Sequence, residues 1–148
     1  MKAIKLILDT DVGSDCDDMM AISYMIAAER KGLVDPLAIT ISHPSYHAAA
    51  AVRGLYRSYG AEVPVMGQMS KENQRGDRYA DKVYEKFGIE SDLAPVGDAL
   101  TLLRKTLAES DGDVTLCAIG PLNNMADLLE SEGDDISPLS GVELVKQQ

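Results

Sequence analysis

Five carboxylates fall within ten residues in the run Asp9-Thr10-Asp11-Val12-Gly13-Ser14-Asp15-Cys16-Asp17-Asp18. Anions packed that closely repel one another, so they are solvated, protonated or held by a cation. Every side-chain donor among the acids is oxygen, which suits Ca²⁺ or Mg²⁺ and not zinc. Gly13 allows a tight turn between the two acidic clusters. Asp17 and Asp18, taken alone, fit the first turn of a helix, where the macrodipole favours acids. That simpler account leaves Asp9 and Asp11 unexplained, because they follow directly on an apolar run, and the whole cluster is read as a metal site.

Two familiar motifs do not fit the spacing. An EF-hand loop needs Gly at its sixth position and Glu at its twelfth. Counted from Asp9, Gly13 is fifth and Met20 is twelfth. A haloacid-dehalogenase-like phosphatase also opens on a strand and Asp-x-Asp, with Asp9 as nucleophile and Mg²⁺ as cofactor. It usually carries Thr or Val where this chain has Gly13, and it is kept as an alternative.

The acidic run needs a strand before it and a helix after it. Leu6, Ile7 and Leu8, with Ile4 ahead of them, read as a buried parallel strand. A helix is expected from Asp17 or Asp18 to Arg30, with Met19, Ile22, Met25 and Ile26 at helical spacing and Gly32 stopping it. Further strands are expected at 37–41, 63–66 and 114–118. Helices are expected from Ser45 to before Gly60, from Asp98 as its cap through Leu107, and over 123–130. Val142 to Val145 reads as a fifth strand, cut short. The polar stretch from Gly67 to Gly97 holds one short helix near Tyr79 to Phe87; an excursion that long is often a lid or a binding loop. Alternating strands and helices imply an α/β fold, an open, mostly parallel sheet with helices on both faces. Such sheets bind ligands at the carboxyl ends of their strands, where the acidic run lies.

The 148 residues fit a single domain, and 45% of them are hydrophobic, which excludes intrinsic disorder. Fourteen basic against 24 acidic residues give a net charge of −10. An acidic chain without basic runs is a poor partner for nucleic acid. The apolar N-terminal run is too short for a membrane span. Cys16 and Cys117 make no disulfide framework and are read as reduced thiols, which together with the absence of a leader points to the cytoplasm.

The segment Asp9-Thr-Asp-Val-Gly-Ser-Asp-Cys-Asp-Asp-Met-Met-Ala-Ile22 resembles the N-terminal signature of the inosine-uridine-preferring nucleoside hydrolase family. Three further segments agree, in order: Leu37-Ala-Ile-Thr40, Val63-Pro-Val-Met-Gly67 and Ile119-Gly-Pro-Leu-Asn-Asn124. The resemblance implies a Rossmann-like sheet and a Ca²⁺-dependent hydrolase. Such an enzyme splits a ribonucleoside with water into base and ribose, in purine or pyrimidine salvage. It implies Asp11 as calcium ligand and general base, Asp18 as calcium ligand, Asp17 on the ribose hydroxyls, the Ile119 carbonyl as a further calcium ligand, and Asp9 supporting the ligands from behind. Asp15 and Cys16 expand the shorter family form by two residues, so Asp15 is also a candidate calcium ligand.

The chain departs from the family at two places. Ser42-His43-Pro44 stands where the family carries an Asn after its second strand, and His43 is either an exposed loop histidine or the candidate sugar contact there. The C-terminal half of the family, with its last calcium-binding Asp, has no counterpart in this sequence. The chain alone is therefore expected to bind calcium weakly and to turn over little substrate. A fragment, a natural truncation and a homo-oligomer that covers the open edge remain as explanations. A non-catalytic metal- or ribose-binding remnant of the family is the other alternative.

Overall fold

The computed structural model describes residues 2–69 and 77–148. Its strands are β1 (Ile4–Thr10), β2 (Val34–Ile41), β3 (Val65–Gln68), β4 (Gly97–Asp98) and β5 (Val114–Ala118). Its helices are α1 (Asp17–Arg30), α2 (Tyr46–Tyr59), α3 (Ala80–Phe87), α4 (Ala99–Ala108), α5 (Asn123–Glu130) and α6 (Gly141–Lys146), with a 3₁₀ turn at Glu90–Leu93. The sheet is wholly parallel in the order β4-β3-β2-β1-β5.

Both faces of this sheet are covered, and the period-2 alternation of the strands divides the core accordingly. Leu8, Ile39, Ile41 and Met66 pack under Ile22, Met25 and Ile26 of α1 and Ala48, Val52 and Tyr56 of α2. Their strand neighbours Ile7 and Ala38 point the other way, against Leu103 and Leu107 of α4, Leu128 of α5 and Leu144 of α6. Each of these leucines is buried, and full burial of such a side chain contributes roughly 1.5–3 kcal/mol.

Strand limits shift where proline intervenes. β2 begins at Val34, ahead of the expected Leu37, and a bulge between Leu6 and Ile7 absorbs Pro36, which has no N–H to offer. β3 runs two residues later than expected, starting after Pro64. There Gly67 lets β3 lie against the start of α4: a Cβ at 67 would sit 2.9 Å from Ala99 Cα. β4 is two residues long and was not legible as a strand.

The expected fifth strand at 142–145 is a helix, α6. Ser140 and Glu143 form a capping box: the Ser140 hydroxyl accepts from the Glu143 amide, and the Glu143 carboxylate accepts from the Ser140 amide. The apolar run serves a helix face, with Leu144 buried against α4 and α5. The connection leading to α6 is tied down by Arg104, a wholly buried guanidinium on α4. It donates to both oxygens of Asp134, to the Ser131 hydroxyl and to the carbonyls of Ser137 and Leu139 at 2.7–3.1 Å. These bonds hold the Asp134 carboxyl well below its usual range, at about 2.

The long excursion between β3 and β4 carries α3, as expected. The lid reading of its first part lies outside the described residues, since 70–76 are among those not described. Among the described residues no helix is long and apolar enough to cross a membrane.

Candidate functional site at the strand ends

β1 has β2 on one side and β5 on the other, so the chain reverses its winding direction at β1. In an open α/β sheet the crevice at such a switch point is the usual ligand site. The acidic run emerges into it. The flanking segments follow β1 to its end: Ser42 N–H donates to Thr10 O and Ile119 N–H to Asp9 O, both at 2.9 Å.

Asp9, the last residue but one of β1, is 1% exposed. Its Oδ1 accepts from the Thr40 hydroxyl at 2.6 Å and from Asn124 Nδ2 at 2.7 Å, while its Oδ2 is buried with no hydrogen-bond partner. Burial raises its pKa, against the pull of the Thr40 and Asn124 bonds. A nucleophilic aspartate needs an approachable oxygen, and Asp9 instead ties β1 to β2 and α5 underneath the crevice. That position disfavours the phosphatase alternative.

Asp11 and Asp18 close the turn from its two ends, and both are buried. Asp18 does not cap its own helix: the α1 N-cap is Cys16, which makes no side-chain cap bond. Its Oδ1 accepts from the Thr10 hydroxyl, and its carboxylate also accepts from the Asp11 amide. Burial pushes the Asp18 carboxyl up to about 6, opposed by the Thr10 hydroxyl and reinforced by the negative Asp11 and Asp17. Asp17 and Asp18 both lie in the first turn of α1, as the helix-terminus reading expects, but the Asp18 carboxylate is turned to Thr10 and the Asp11 amide.

Asp15 and Asp17 face solvent, and each accepts from the next backbone amide, Cys16 N–H at 2.7 Å and Asp18 N–H at 3.1 Å. Gly13 holds φ +111°, a conformation that favours glycine. Ile119 and Gly120 bring the end of β5 against Asp11 so closely that a Cβ at 120 would lie 2.8 Å from Asp11 N and from Asp11 Oδ1. His43, at the ligand end of β2, is wholly buried; its Nδ1 accepts from Ser45 N–H at 3.2 Å. Both cysteines are free.

Among the described residues, no three acidic, histidine or cysteine side chains converge into a ready cation cage. The donor chemistry nonetheless suits a hard cation: the charged Asp18 carboxylate is disfavoured by burial and by the nearby Asp11, and the end of β5 lies against Asp11. Thr10, Thr40, Asn124 and Gly120 also shape this site, and no role for them was read from the sequence. Thr40 meets Asp9 through the β1–β2 register, Asn124 reaches it from α5, Gly120 packs on Asp11 from the end of β5, and Thr10 bonds Asp18 across the turn.

The Asp18 shift makes a prediction. Its folded pKa, about 6, lies above the unfolded value near 3.8. Its contribution to stability is therefore fully present below about pH 4 and lost as pH rises through 6. In the absence of metal, Asp18→Asn should exceed the wild type in stability at neutral pH by up to about 3 kcal/mol, and the gain should vanish near pH 4. Urea unfolding of both proteins in chelator across pH 4–7 measures this. A constant difference across that range would contradict the assignment.

An α/β chain with an acidic crevice at its switch point defines a broad class of ligand-binding folds. Within it, the chain belongs to the inosine-uridine preferring nucleoside hydrolase family, whose model matches residues 6–142. It is similar to the pyrimidine-specific ribonucleoside hydrolase RihA of Shewanella sp. (strain MR-7), 31% identical over 140 residues, covering 87% of this chain and 42% of that protein. It is likewise 32% identical over 136 residues to RihB of Escherichia coli O17:K52:H18 (strain UMN026 / ExPEC), which is also named pyrimidine-specific, covering 85% of this chain and 42% of RihB. The fold matches a crystal structure of the effector protein XOO4466 with TM-score 0.64 at 16% identity, over 97% of this chain and 41% of that one. The chain thus spans about two fifths of the length of the relatives it matches.

Proposed function

We propose that this chain supplies the cation- and water-holding part of a ribonucleoside hydrolase site, with Ca²⁺ as the cation. The observation that carries the reading is the pair Asp11 and Asp18, buried together at the switch point of a sheet whose family hydrolyses nucleosides. Asp11, Asp18 and the Ile119 carbonyl would hold the ion, with Asp15 within a short turn of them. When bound, calcium orients a water and the ribose diol and lowers the pKa of that water.

Asp11 takes the proton from the attacking water. The water oxygen bonds to the anomeric carbon, the N-glycosidic bond breaks, and the base leaves with the bonding pair. The anomeric centre becomes oxocarbenium-like as the bond stretches, and the nearby carboxylates stabilise its positive charge. Asp17, exposed at the first turn of α1, accepts from ribose hydroxyls. His43 backs the sugar end of the crevice, and Asp9 fixes the strand beneath Asp11.

Uridine and cytidine are the first substrates to try, since the relatives are named pyrimidine-specific. Ribose release that requires calcium and stops in chelator supports the reading. Phosphate release from a generic phosphate ester in Mg²⁺, or a protein that neither binds calcium nor releases ribose, would overturn it.

A further inference from the structure

The acidic turn is gripped from outside by four consecutive residues that lead into α3. Arg78 N–H donates to Gly13 O at 3.0 Å, and the Tyr79 hydroxyl donates to Asp15 O at 2.6 Å. Ala80 is wholly buried against Gly13; a Cβ there would lie 3.1 Å from that of Ala80. Asp77 anchors the strap to a different element. Its Oδ2 accepts from the hydroxyl of Ser45, the α2 N-cap, and lies 3.1 Å from His47 Nδ1. Its Oδ1 is buried with no hydrogen-bond partner and faces Gly13, 3.4 Å from where a Cβ on that residue would stand. The strap thus joins the start of α2 to the backbone of the turn at residues 13 and 15, between Asp11 and Asp18.

We propose that Asp77 and Tyr79 are positioning residues that set the separation of Asp11 and Asp18 by clamping the backbone between them. The inference rests on the reading of that turn as a cation site. Neither side chain touches the ion. The Thr10 hydroxyl and the Asp11 amide, both donating to the Asp18 carboxylate, hold the two ends of the turn. Between them Ser14 N–H donates to Asp11 O, Asp15 caps only its neighbour and Cys16 caps nothing, so the strap is the main restraint on residues 13–16. With the clamp released, two repelling carboxylates relax apart, and bringing them back must then be done at the expense of binding energy.

The test is a calcium titration followed by calorimetry, with terbium luminescence as a second probe, on wild type, Tyr79→Phe, Asp77→Ala and Asp77→Asn. Tyr79→Phe keeps the ring and removes only the donor, and one hydrogen bond of this kind should change calcium affinity about three- to tenfold. Asp77→Ala should lose at least as much. Asp77→Asn keeps an acceptor for Ser45 and should recover most of the wild-type affinity. The calcium-induced rise in melting temperature should shrink in the same order. Wild-type calcium affinity in Tyr79→Phe and Asp77→Ala would overturn the clamp and leave the cation site standing. A wild type that binds neither calcium nor terbium would instead remove the site itself, and the clamp with it.

Discussion

Alanine at position 120 is expected to lower the melting temperature by roughly 5–10 °C and to abolish calcium binding. The added Cβ would stand 2.8 Å from Asp11 N, Asp11 Oδ1 and the Ser42 hydroxyl at once. A flexible side chain can swing away from such a contact, but a strand-end amide cannot. Asp11 follows β1 directly, and the two residues before it, Asp9 and Thr10, are held by ladder bonds from Ile119 and Ser42. Relief must come from pushing the end of β5 away from β1, which opens the crevice where the cation would sit. Overpacking of this kind typically costs about 1–3 kcal/mol, and for a chain of this size the upper part of that range, about 1.5–3 kcal/mol, corresponds to the expected drop. Differential scanning calorimetry and a calcium titration on Gly120→Ala measure both effects. A variant with the melting point and calcium heats of the wild type would show that β5 does not form the wall of the site.

Asp11→Asn is expected to reduce calcium-dependent ribose release by about 10²- to 10⁴-fold, the range for loss of a general base. The amide is nearly isosteric, so the turn should keep its shape while losing both a negative ligand and the proton acceptor. Asp9→Asn should be far milder. The oxygen that accepts from Thr40 and Asn124 is retained in an amide, and the buried, unpartnered Oδ2 becomes an NH₂ group. The contrast separates two chemistries that share an Asp-x-Asp turn. A hydrolase depends most on Asp11, whereas a phosphatase with Asp9 as nucleophile would lose everything at Asp9 and tolerate more at Asp11. Steady-state rates for the two variants, side by side, decide it.

Much of this architecture is legible in local patterns. The spacing of Ile22, Met25 and Ile26 reports α1, Asp98 and Ser45 announce the helices that they cap, and the turn at Gly13 marks the strand end. These features depend on residues within a few positions of one another. Val142–Val145 becomes a helix although its three apolar residues and Glu143 fit a short strand or one helical turn equally well. The deciding signal was the Ser140-x-x-Glu143 capping box ahead of them. The support of the site was not legible, for a different reason. Thr40 meets Asp9 because the β1–β2 register pairs them, and Asn124 reaches Asp9 across 115 positions of sequence. Asp77 and Tyr79 reach the turn only because α3 returns to it. The side-chain direction of Asp15, toward Cys16 N–H and solvent, likewise depends on how the turn folds.

The two buried aspartates at the end of the first strand either hold a hard cation or leave the crevice without its chemistry. Isothermal titration of the metal-free protein with calcium at pH 7, repeated on Asp11→Asn and Asp18→Asn, tests this most directly. One saturable site is expected in the wild type, lost or weakened at least tenfold in both variants, with magnesium a poorer competitor than terbium. Calcium heats that are absent, or that survive both substitutions unchanged, would contradict it.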